Sequence, residues 1–134
     1  TNDEILELDV DILVPAALEH VITIDNIDRI KAKIVLEMAN GPTTKEAAEM
    51  LDKKGTIMIP DILANSGGVT GSYFEWKQNI DGETWDLNTY RTKLHEYMKK
   101  ATDEVWSNSK KYSVSLRTAA YITAIQRLEA AIDR

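Results

Sequence analysis

Lys33-Ile34-Val35-Leu36-Glu37-Met38 runs directly into Ala39-Asn40-Gly41-Pro42. A short, β-branched-rich apolar run that ends at Asn, Gly and Pro reads as a strand closed by a turn. Two runs on either side repeat the pattern. Asp11-Ile12-Leu13-Val14 is halted by Pro15, and Thr56-Ile57-Met58-Ile59 is halted by Pro60. Near-continuous hydrophobicity predicts strands buried on both faces, as in a parallel sheet covered by helices. The connections agree. Thr44 is an N-cap candidate, Ala47, Met50 and Leu51 share one helical face, and Gly55 follows as a stop. Asn26-Ile27-Asp28-Arg29-Ile30 is a shorter helical candidate between the first two strands. Residues 11–59 therefore read as two right-handed βαβ units.

The second half changes character, with no strand from Ser66 onward. A helix is expected over 66–79, and Asp81-Gly82 marks the turn after it. Residues 86–111 carry Leu87, Tyr90, Leu94, Tyr97, Met98, Ala101 and Val105 at helical spacing. Residues 115–132 carry Leu116, Ala120, Tyr121, Ala124, Ile125, Leu128 and Ile132 in the same way. Tyr73-Phe74-Glu75-Trp76 is an aromatic patch that reads as core or interface. The expected fold is α/β: about three parallel strands in residues 1–65, then long helices over 66–134. So few strands suggest part of a larger sheet.

The chain has 134 residues, with 43% hydrophobic and 28% charged, which suits a globular domain. It has no Cys, which excludes disulfides, thiolate metal sites and cysteine nucleophiles. The net charge is −6 and no basic stripe appears, so no nucleic-acid partner is expected. No apolar run approaches the ~20 residues of a membrane span, and no leader pattern opens the chain. His20 and His95 are far apart, His20 reads as a solvated surface residue, and the acidic clusters read as solvated faces, so no metal site is expected.

Three polar segments follow the three strands, and parallel strands place all three at one sheet edge, where ligands of open α/β sheets bind. Pro15-Ala16-Ala17 gives small residues beside which a flat ligand fits, or simply a strand end. Asn40-Gly41-Pro42-Thr43-Thr44 offers an amide with both donor and acceptor, or simply a turn and an N-cap. Asn65-Ser66-Gly67-Gly68-Val69-Thr70-Gly71-Ser72 has the most unusual composition. Bare N–H groups opening a helix suit a polar ligand edge, and the Ser72 hydroxyl can meet a carboxylate. The competing reading is close helix packing with Ser72 bonded back to its own helix. The glycines at 41, 55, 67, 68, 71 and 82 form no G-x-G-x-x-G, and no general acid or base stands out by spacing.

Leu13-Val14-Pro15-Ala16-Ala17-Leu18-Glu19, Ala39-Asn40-Gly41-Pro42-Thr43-Thr44, and Ile59-Pro60-Asp61-Ile62-Leu63-Ala64-Asn65 with Gly67-Gly68-Val69-Thr70 resemble the Glu/Leu/Phe/Val dehydrogenases. Ser72-Tyr73-Phe74-Glu75-Trp76 and Arg117-Thr118-Ala119-Ala120-Tyr121 are similar to the glutamate branch of that family. The likeness runs from residue 5 to residue 132. It implies the second half of a Rossmann-like cofactor domain. The glycine-rich half, and an N-terminal substrate domain with the catalytic Lys and Asp, would belong to a longer chain preceding Thr1.

The resemblance implies NAD or NADP as cofactor, L-glutamate and 2-oxoglutarate as partners, a homo-oligomer such as a hexamer for the whole protein, and a cytoplasmic setting. It places Ser72 and Val69 at the substrate. Asn40 and Asn65 fall at the nicotinamide riboside, beside the Ala16 and Ala17 backbone. It puts no catalytic residue in these 134 positions, so the chain alone is expected to be inactive. Gly71 departs from the pattern, since a bulkier apolar residue, often Val, is usual there. Two other readings remain: a non-catalytic folding or interaction module, and part of a leucine, phenylalanine or other branched-chain or aromatic amino-acid dehydrogenase.

Overall fold

The computed structural model describes residues 1–132, so the last two positions of the expected 66–134 helical part lie outside the described residues. The strands β1 (Ile12–Leu13), β2 (Ile34–Leu36) and β3 (Ile57–Ile59) form a parallel sheet in the order β1-β2-β3. Each is shorter than its apolar run. The register aligns Leu13 with Val35 and Val35 with Met58, and this row is buried. The next row behaves differently. Ile12 is 53% exposed and Ile57 is 43% exposed, so burial on both faces does not hold. One face rests on the main core, and the other is covered only toward Ile59, by the second core cluster.

The expected pair of βαβ units is also corrected. Between β2 and β3 lies a true helix, α2 (Lys45–Lys54), whose first turn is capped by the Thr44 hydroxyl accepting from the Ala47 N–H at 3.4 Å. Ala47, Ala48 and Leu51 are its buried residues, while Met50 faces out. Between β1 and β2 there is no α-helix, only one 3-10 turn at Ile27–Arg29. Two features account for this. Val21, Ile22, Thr23, Ile24, Ile27 and Ile30 make the segment β-branched-rich, which disfavours helix. Asn26 also takes local partners, accepting from Thr23 N–H at 2.9 Å and donating to the Val21 carbonyl at 2.8 Å. Ile22 instead makes an isolated parallel bridge to Thr43. A short helix at the start, α1 (Asn2–Leu6), carries no strong sequence signal beyond the Thr1–Glu4 capping box and sends Leu6 into the core.

After β3 the chain is helical from Asp61, earlier than the expected residue 66. A single turn, α3 (Asp61–Ala64), leads through Asn65 into α4 (Ser66–Asp81). The long helices α5 (Leu87–Tyr112) and α6 (Leu116–Ile132) lie within a residue of the starts their periodicity predicts. At 26 residues, α5 is about 39 Å long.

Phe74 anchors the aromatic patch. It is 2% exposed and meets Trp85, Tyr90 and Tyr97 edge-on at 5.4, 5.9 and 5.1 Å. Tyr73 and Trp76 face outward. Helix α6 keeps only Ala120 and a partly buried Leu116 of its expected face inside. Its buried residues are Ala119, Ala120 and Thr123, while Tyr121, Ile125, Leu128 and Ile132 are exposed. Small residues bring α6 close to α5 and to Leu63 beyond β3, and the bulky ones point away from that contact. Leu87 and Tyr97 of α5 are likewise exposed, leaving Val105 as its buried residue.

Candidate functional site

All three strands point their carboxyl ends to one edge, and backbone contacts join the segments that follow them. The Pro15 carbonyl after β1 accepts from Met38 N–H at 3.0 Å and Ala39 N–H at 2.9 Å, just after β2. His20, exposed and at φ 52, donates its N–H to the Gly41 carbonyl at 2.9 Å. Ala16 and Ala17 lie between these two ties and are exposed. Gly41 itself takes φ +56, a left-handed conformation that a Cβ would strain.

Asn40 and Asn65 meet. The Asn65 side-chain amide donates to Asn40 Oδ1 at 2.7 Å and, more weakly, to the Met38 carbonyl at 3.4 Å. In this amide assignment, the pair uses one donor and one acceptor on each other. It leaves the Asn40 amide N–H groups and Asn65 Oδ1 as a further donor and acceptor. That is the complement of a primary carboxamide edge or a ribose hydroxyl pair. A nicotinamide riboside therefore fits the donor set.

Helix α4 begins at the residue after Asn65 and presents Val69 and Ser72 three residues apart on one face. Val69 is 69% exposed, and Ser72 is exposed as well. The Ser72 hydroxyl bonds back to the Gly68 carbonyl at 3.3 Å, the local arrangement weighed in the sequence, and this long tether leaves its lone pairs outward. The chain turns through α3 before the glycines, so Asn65, not Gly67 or Gly68, is the residue at the helix junction.

Sequence reasoning missed the charged cluster beneath this edge. Glu37, at the end of β2, is wholly buried. Its Oε2 accepts from Asp61 N–H at 2.9 Å and pairs with Arg117 Nη2, on the first turn of α6. Arg117 Nη1 reaches Asp61 Oδ1 at 2.9 Å, and Asp61 Oδ2 accepts from Gly41 N–H at 2.8 Å. Burial pushes the Asp61 carboxyl up, but the N–H groups of Gly41 and Ile62 and the Arg117 guanidinium outweigh it and hold it below its ordinary value. Burial acts to lower Arg117, and the charge of Glu37 with the Asp61 bond more than reverses that. One signal was available: a Glu inside an apolar strand needs a buried cation from elsewhere. Nothing local says that the cation lies 80 residues away. Among the described residues, no group of three or more His, Asp or Glu is placed to hold a metal, and no helix is long and apolar enough to cross a membrane.

A family model, that of the glutamate/leucine/phenylalanine/valine dehydrogenases, matches the chain over residues 1–134. The chain belongs to this family. It is 58% identical over 128 residues to the glutamate dehydrogenase of Thermotoga maritima, covering 96% of this chain and 31% of that protein. It is 49% identical over 133 residues to the NADP-specific glutamate dehydrogenase of a Synechocystis species, covering 99% and 31%. The NAD-specific enzyme of Staphylococcus aureus is 49% identical over 127 residues, covering 95% and 31%. Among solved structures, the hetero-hexameric glutamate dehydrogenase of Thermus thermophilus superimposes with a TM-score of 0.93 at 30% identity, covering 98% of this chain and 32% of that one. This dehydrogenase-family chain thus spans about a third of the length of the relatives it matches.

Proposed function

We propose that residues 1–134 form the C-terminal part of the cofactor domain of a glutamate dehydrogenase that uses NAD or NADP. The contact between Asn40 and Asn65 at the carboxyl edge of a parallel sheet carries this reading. The family match and glutamate dehydrogenase relatives of both cofactor types support it. A nicotinamide dinucleotide, held at the Asn40–Asn65 edge, would supply the acceptor for the hydride that leaves the glutamate α-carbon. Water then hydrolyses the resulting iminium to 2-oxoglutarate and ammonia.

The residues of this chain bind and orient. Asn40 and Asn65 hold the carboxamide or ribose edge with their remaining donor and acceptor, and the exposed Ala16–Ala17 backbone leaves room beside them. Val69 packs against the substrate carbons. The Ser72 hydroxyl turns from its long bond to Gly68 to donate to the side-chain carboxylate of glutamate. A leucine or phenylalanine side chain would leave that hydroxyl facing an apolar group, which favours glutamate over those substrates. Proton transfer at the amine nitrogen and at the attacking water falls to residues outside this segment, and the full-length subunit works as a homo-oligomer, with a hexamer as the expected form.

Replacing Ser72 in the full-length enzyme tests the substrate assignment. Ser72→Ala should raise the glutamate KM or lower kcat/KM about tenfold or more, the effect of losing one hydrogen bond to a charged group. Unchanged KM and kcat/KM would remove Ser72 from the substrate site.

A further inference from the structure

We propose that Arg117 is the positioning residue for the Asn40–Asn65 pair, acting through Asp61. Both members of the pair are referenced to Asp61. Its side chain accepts the N–H of Gly41, the residue after Asn40, at 2.8 Å. Its main-chain carbonyl accepts the N–H of Asn65 at 3.1 Å. One residue therefore sets the separation of two loops 25 positions apart in sequence.

Arg117 in turn fixes Asp61. Its two terminal nitrogens go to different carboxylates, Nη1 to Asp61 and Nη2 to Glu37, and the planar guanidinium makes that angle rigid. The Glu37 end is immovable on electrostatic grounds. Glu37 is 0% exposed, and its Oε1 is buried without a hydrogen-bond partner among the described residues. Withdrawing the cation would strand a buried negative charge, so Arg117 cannot swing away while the protein is folded. The Glu37 carboxylate also accepts from the Asp61 N–H at 2.9 Å, so Asp61 is held at backbone and side chain by the same cluster. The start of α6 is thereby tied to the loops at the sheet edge. A lysine would keep the charge but, as a point charge, could not span both carboxylates in one geometry.

The positioning is read from these contacts, while its consequence for catalysis rests on the cofactor assignment given above. Two readouts keep them apart. In the labelled chain, Arg117→Lys should speed hydrogen exchange of the Gly41 amide about tenfold relative to the Ile57 amide, which bonds to the Lys33 carbonyl within the sheet. It should also shift the Asn65 side-chain amide resonances. If that variant does not fold, Glu37→Gln with Arg117→Met removes both charges of the buried pair and takes the cation from the Asp61 side chain, so the same two changes are expected. A folded variant in which Gly41 and Asn65 behave as in the parent overturns the proposal, whatever its melting temperature. In the full-length enzyme, Arg117→Lys should raise the dinucleotide KM several-fold with little change in the glutamate KM. If the Gly41 and Asn65 signals move and the dinucleotide KM does not, Arg117 positions the pair and the cofactor assignment of the pair is what fails.

Discussion

The hydroxyl of Tyr90 on α5 occupies the space that a Cβ on Gly71 of α4 would fill. The Tyr90 ring packs edge-on against Phe74, so moving it aside would disturb that contact. The Cζ of Tyr90 stands 3.6 Å from the same point, which is ordinary contact distance. The absent side chain at 71 therefore sets how closely α4 and α5 approach, and α4 is the helix that carries Val69 and Ser72.

Gly71→Ala should destabilise the chain by about 1–2 kcal/mol through overpacking, even though alanine is the better helix former. Adding Tyr90→Phe removes the clashing oxygen and should return the melting temperature to the parental value or above. Additive losses in the double variant would show that the two residues do not compete for one space.

Phe74 joins α4 to α5 and to Trp85 through its ring contacts with Trp85, Tyr90 and Tyr97. Phe74→Ala should cost about 3–5 kcal/mol. Thermal melts followed by tryptophan emission would register it, because Trp85 loses its ring partner.

Acid should weaken the fold through Asp61. Its folded carboxyl titrates below the ordinary 3.8, because the Gly41 and Ile62 N–H groups and Arg117 outweigh burial. A depressed folded value means that the unfolded chain binds the proton more readily. The stabilisation is complete above the ordinary value and is lost as pH falls through the depressed one, below about pH 4. Asp61→Asn should flatten the dependence of melting temperature on pH in that range. A parallel curve, merely displaced, would place the acid sensitivity elsewhere.

The helical half was legible because long amphipathic helices announce their ends. Asp86 caps α5 by accepting the Thr89 N–H at 2.7 Å, and the predicted and observed starts differ by one residue. The parallel sheet was legible from three apolar runs and their Pro and Gly stops. The first crossover was misread, since Asn26 and Ile27 have helical spacing but belong to a β-branched segment that bonds locally. The exposed face of α6 was misread for a different reason. Periodicity marks an apolar stripe from Leu116 to Ile132, yet close packing through Ala119 and Ala120 keeps only its Leu116–Ala120 end inside and leaves Tyr121, Ile125, Leu128 and Ile132 exposed. At the site, the Asn40 amide stands out in its turn, whereas Asn65 is proposed for the cofactor only through the family resemblance. Their direct bond, and the Arg117 cluster below it, are products of tertiary approach over 25 and 80 residues that no local pattern encodes.

The chain alone should hold dinucleotides poorly. It contains no G-x-G-x-x-G turn, and pyrophosphate contacts at such a turn supply much of the affinity. Calorimetric titration of the 134-residue chain with NAD or NADP should show nothing tighter than about 1 mM. Micromolar binding would mean that the asparagine edge holds the cofactor without a phosphate loop.

Engagement of the nicotinamide half of the cofactor by the asparagine pair can be tested in the enzyme itself. A double-mutant cycle with Asn40→Ala and Asn65→Ala in the full-length enzyme, scored by dinucleotide KM, tests this directly. Each single change should raise that KM about tenfold, and the double change should fall well short of the product, because each asparagine orients the other. Dinucleotide KM values within twofold of the parent in all three variants would contradict the assignment of this sheet edge to the cofactor.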